Sequence, residues 1–142
     1  MRTLTTLACL VLAAACGGDG GSSQATTPPV TPPPSGATRI GDIQGTGNIS
    51  PMEGQRVTVS GIVTGDFQEN DADTRRNLGG FYILDGAPDA NPQTSDGIFV
   101  FDGNNPATDI DVGDLVEVQG TVAEHYGETQ IKANSVRVTG TG

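Results

Sequence analysis

Along residues 39–142, apolar positions recur in short runs of alternating type, broken every few residues by Gly, Asp, Asn or Pro. No stretch carries apolar residues at helical spacing over ten or more positions, so the pattern predicts strands and not helices. The first strand is read at Gln55 to Phe67, where Val57, Val59, Ile62 and Val63 alternate around Gly61. A glycine where strand period breaks predicts a bulge or sharp coil at that point, letting one strand serve two sides of a barrel. Further strands are read at Gly80–Asp85, Gly97–Asp102, Asp114–Ala123 (again with a central glycine, Gly120) and Thr129–Val138. A helix has room only as a short turn within Asn104–Asp111. The expected fold class is therefore all-β, a five-stranded barrel.

The first 38 residues have a different character. Residues 1–15 place Arg2 before an apolar stretch from Leu4 to Leu12 and end on three alanines, the order of an export signal. The apolar run is shorter than the roughly 18–20 residues that span a bilayer. Cys16 then stands where bacterial lipoproteins carry their lipid-acceptor cysteine, although Leu12 lies four places before it and Ala13 occupies the usual leucine position. Acylation at Cys16 would hold the chain on a membrane surface without spanning it; plain secretion is the alternative. Residues 16–38 are rich in Gly, Ser and Pro with almost no large apolar side chain, which predicts a disordered tether stiffened by Pro28-Pro29 and Pro32–Pro34. The domain plan is thus signal 1–15, linker 16–38 and folded domain 39–142.

Composition narrows the chemistry. Both cysteines, Cys9 and Cys16, precede the folded part, so a disulfide scaffold, a thiol nucleophile and a Cys/His zinc site are excluded there. A histidine-based catalytic site would rest on His125, the only histidine. With 17 acidic and 7 basic residues the net charge is −10, the wrong sign for gripping polyphosphate by charge alone. These numbers favour a binding module over an enzyme.

The segments ISPMEGQRVTVSGIVTGDFQ, NLGGFYILD, TSDGIFVFDG and DVGDLVEVQGTVAEHYGETQI, spanning about Ile40 to Val138, resemble the OB-fold domain of large bacterial extracellular nucleases of the ExeM/NucH type. In those proteins the OB domain precedes a catalytic domain, and no second set of His, Asp and Asn residues follows it here. The resemblance implies an OB-fold and a nucleic-acid setting, and carries over no activity. The alternative it raises is an accessory region of a secreted endonuclease.

OB-folds bind oligonucleotides or oligosaccharides on the outer face of strands 2 and 3, between the loops joining strands 1–2 and 4–5. If Phe81, Ile83, Ile98 and Val100 point inward, alternation turns Tyr82, Leu84, Phe99 and Phe101 outward. Tyr82, Phe99 and Phe101 then form a platform for stacking on bases or sugar rings; the competing reading packs them beneath loops as a satellite core. Arg75 and Arg76 in the 1–2 loop could clamp a phosphate, or pair with Glu69, Asp71 and Asp73 beside them. His125 and Tyr126, before Gly127, mark the 4–5 hairpin. Asp71, Asp73, Asp85 and Asp89 offer oxygen ligands for calcium, but no Glu closes an EF-hand loop, and solvated acidic loops are the simpler reading. We expect no cofactor. The expected partners are a single-stranded nucleic acid or an oligosaccharide, with an envelope protein drawn to the acidic surface as a further class.

Overall fold

The computed structural model describes residues 36–68, 77–103 and 106–142. Five strands carry the fold: β1 (Arg56–Phe67), β2 (Gly80–Leu84), β3 (Gly97–Phe101), β4 (Asp114–His125) and β5 (Glu128–Thr141). They form one sheet closed into a barrel in the order β1-β2-β3-β5-β4. All pairings are antiparallel except β3 with β5, which run parallel over Phe99–Gln130, Val100–Ile131 and Phe101–Lys132. The strands begin within a residue of the positions expected from alternation, while β4 and β5 run further, meeting in a hairpin at Tyr126-Gly127. Both turn residues have positive φ, 50° and 86°, the two-residue geometry whose twist suits a hairpin.

Closure depends on β1. Its first half, Arg56–Ile62, pairs with β4, and its second half, Ile62–Phe67, pairs with β2. The expected bulge is displaced from Gly61 to Thr64: the β1–β2 register shifts between Val63 and Gly65. Gly61 has a different job. A Cβ there would lie 2.7 Å from the Leu84 carbonyl oxygen, so the glycine lets the end of β2 approach. The second expected break does coincide with its glycine, since the β4–β5 register shifts between Gln119 and Gly120.

The interior is almost wholly aliphatic. Val57, Val59, Val63, Ile83, Ile98, Val100, Val116, Val118, Val122 and Ile131 fill it, with Phe81 the one aromatic in the core.

One end is plugged by a helix that strand alternation did not anticipate, α1 (Ile40–Gln44). It forms before β1, whereas the described part of the 104–111 segment holds no helix. Ile40 and Ile43 sit one turn apart and are fully buried in the barrel core. The Asp85 carboxylate accepts from the Ile40 N–H (3.3 Å), and Gln44 donates to the Gly97 carbonyl (2.7 Å), pinning both ends. Gly45, at φ 61°, turns the chain out. A single turn this short is stable only through such tertiary contacts. Ile43→Ala should therefore cost about 2–5 kcal/mol in urea unfolding, whereas Ile49→Ala, exposed just beyond the plug, should change stability by no more than about 0.5 kcal/mol.

Candidate functional site

With Phe81 inside, the other strand aromatics lie on the outer wall. Directly opposed residues share a face, so the pairings define rows across the strands. One row reads Phe67–Gly80–Phe101–Lys132 and the next Gly65–Tyr82–Phe99–Gln130. A third, Leu115–Ile62–Leu84–Gly97, continues the surface. The outer wall of β2 and β3 with the second half of β1 is thus apolar and aromatic, while on the β4–β5 side the outward pairs include Glu117 and Arg137 at 3.0 Å.

Tyr82 is the hub of this wall. Its ring lies 4.9 Å from Phe99, tilted by 56°, and meets Phe67 edge-on at 6.1 Å. Aromatic pairs of this geometry add about 0.5–1.5 kcal/mol beyond burial. The Tyr82 hydroxyl donates to Oε1 of Glu128, at 2.8 Å, from the first residue of β5. That hydrogen bond, aided by burial and the nearby negative charge, raises the phenol above its ordinary value of 10.0. Gly80 is required here, because a Cβ on it would meet the Phe99 ring 2.8 Å away and the Val100 carbonyl oxygen closer still.

The three expected platform residues differ in exposure. Tyr82 is half-buried and Phe101 exposed, but Phe99 is only 6% accessible, so it supports its neighbours more than it offers a free surface. Phe67 and Glu128, which sequence reasoning did not single out, complete the arrangement. At the hairpin, exposed His125 and Tyr126 contact each other edge-on at 4.6 Å, and Tyr126 projects fully into solvent. Arg75, Arg76, Asp71, Asp73 and Cys16 lie outside the described residues.

Asp85 and Asp89 are engaged in holding backbone. Asp85 is buried and accepts from the N–H groups of Ile40 and Ala87; Asp89 accepts from the Asn91 N–H and the Thr94 hydroxyl. Among the described residues, no three His, Cys, Asp or Glu side chains converge as a metal site. Asp111 and Asp114 make a turn before β4 through reciprocal bonds.

At the β1 end of the wall, fully buried Gln68 joins separate segments. It donates to Asp102 (2.6 Å) and to the Thr108 carbonyl (3.0 Å), and accepts from the Ile110 N–H (3.2 Å). Asp102 borders a hollow of about 210 Å³ with Thr108, Asn134 and Ser135, and its Oδ1 is buried without a partner among the described residues. Burial pushes the Asp102 carboxyl up, the Gln68 hydrogen bond pulls it partly back, and Asp66 adds to the rise.

No family model, curated protein or solved structure matches the chain.

Two measurements check these assignments. In a Tyr126→Phe background, absorbance titration should place the Tyr82 midpoint above 10.0, and adding Glu128→Gln should lower it. For Asp102, a raised folded pKa means the native state binds more protons than the unfolded one, so stability falls as pH rises from 3.8 upward. Asp102→Asn should accordingly melt above the wild type at neutral pH, with the difference closing as pH approaches about 3.

Proposed function

We propose that the chain is a non-catalytic OB-fold module exported to the cell envelope, lipid-anchored at Cys16 or secreted, that binds a ring-bearing polymer on the outer wall of β1–β3. The order β1-β2-β3-β5-β4 with a parallel β3–β5 pair supports this reading, since OB-folds are five-stranded barrels that use the strand 2–3 face for oligonucleotides and oligosaccharides. The export signal and tether read in residues 1–38 support an extracytoplasmic setting.

The observation that carries the reading is where the aromatics went. Four of the chain's six, Phe67, Tyr82, Phe99 and Phe101, share one outer wall, and a single phenylalanine fills the core. Burying a Phe inside would stabilise the barrel more than leaving one 36% accessible, as Phe101 is. A row of rings fixed by its neighbours offers stacking area at little further entropic cost.

Calorimetric titration with a dT12 oligonucleotide and with neutral hexaoses tests this reading. Binding by at least one probe is expected, weakened roughly 5- to 150-fold by Tyr82→Ala or Phe101→Ala, as expected for loss of about 1–3 kcal/mol of stacking. Affinity indifferent to both substitutions, or no binding by either probe, would overturn it.

A further inference from the structure

Resting on that reading of the wall, we infer that Glu128 makes it a site for a neutral oligosaccharide and selects against single-stranded nucleic acid. The wall itself bears no charge: Ile62, Phe67, Tyr82, Leu84, Phe99 and Phe101 line it, with Gly65, Gly80 and Gly97 between them. Beside its central ring stands one carboxylate, Glu128, held by the Tyr82 hydroxyl. An ionised carboxylate only accepts hydrogen bonds. Sugar hydroxyls donate, so a ring stacked by its C–H face on Tyr82 can bond to Glu128 at its edge. A phosphodiester has no hydrogen to donate and repels the same group.

The surrounding charges agree. Among the described residues thirteen Asp or Glu face four Lys or Arg. Arg137 is paired with Glu117, Arg39 donates to the Ala87 carbonyl, and Arg56 borders a separate hollow with Thr38, Gln119 and Asn134. Of these four described cations, Lys132 alone adjoins the aromatic rows. One cation among the described residues cannot neutralise a run of phosphates, and counterion release from it would contribute little. Hydroxyl-rich rings have no such requirement. From Gly97 to Phe101 the wall extends about 14 Å at roughly 3.4 Å per residue, longer than one ring. The exposed Tyr126 stands at the hairpin tip two residues before Glu128.

The test titrates the full chain with cellohexaose, chitohexaose, laminarihexaose and dT12, at low and moderate salt, with circular dichroism confirming that each variant is folded. At least one hexaose should bind with little salt dependence and more tightly than dT12. Glu128→Gln should weaken that hexaose at least 3-fold, and Tyr82→Phe, which keeps the ring but releases Glu128, should weaken it by a similar factor. Any residual dT12 binding should tighten in Glu128→Gln. If dT12 binds more tightly than every hexaose and still needs Tyr82 and Phe101, the sugar assignment is wrong and the ring-binding wall stands. If no probe binds, or binding ignores Tyr82 and Phe101, both fall. Hexaose affinity unchanged by Glu128→Gln would remove Glu128 from the site.

Discussion

The extra residue at Thr64 governs what the outer wall becomes. Side chains alternate strictly along a strand, so Val57, Val59 and Val63 facing the core would carry Gly65 and Phe67 inward with them. The bulge between Val63 and Gly65 reverses that parity. Phe67 turns outward to meet Tyr82, and Gln68 turns inward, fully buried, to tie Asp102, Thr108 and Ile110 together. The same irregularity falls where β1 has passed from pairing with β4 to pairing with β2. Barrel closure and the aromatic wall therefore have one local cause.

The narrow interior explains the rest. Branched aliphatic side chains from all five strands, one phenylalanine and the two isoleucines of α1 fill it. Further rings are accommodated outside, where glycines make space: the Phe99 ring lies over Gly80, and the edge of Phe67 passes over Gly65. The wall is consequently pre-ordered. Tyr82 is held from Phe67 on one strand, Phe99 on another and Glu128 on a third. Preorganisation of this sort lowers the ordering cost that binding would otherwise carry.

Much of this was legible in the sequence because strand alternation is a strong signal where one face is buried. Phe81 and Ile83 inward with Tyr82 and Leu84 outward followed from period two alone; in β3 the pairing puts Phe99 in the Tyr82 row, but its burial, which breaks the alternation there, was not legible. Phe67 was not legible, since β1 marks an irregularity at Gly61 while its actual place, Thr64, is set by the pairing with β2. Glu128 became part of the site through a bond to a residue 46 positions away, which spacing cannot show. The helix was missed for a different reason. Ile40 and Ile43 give one apolar turn, shorter than the window over which helical period is recognisable, and its stability comes from Asp85 and Gly97 elsewhere in the chain. Asp85 departs from its expected surroundings: its acidic spacing reads as a solvated loop, with calcium the weaker alternative, yet it is buried and its carboxylate serves backbone N–H groups.

The sharpest measurement is a set of nuclear Overhauser contacts from the Tyr82 and Phe67 rings in solution. The bulged register places Tyr82 in contact with Phe67, Phe99 and the Glu128 side chain, and keeps the Phe67 ring away from the Val100 and Ile110 methyls of the core. Strong contacts between Phe67 and those methyls, with none to Tyr82, would mean that β1 runs without its bulge, and the outer aromatic wall would not exist.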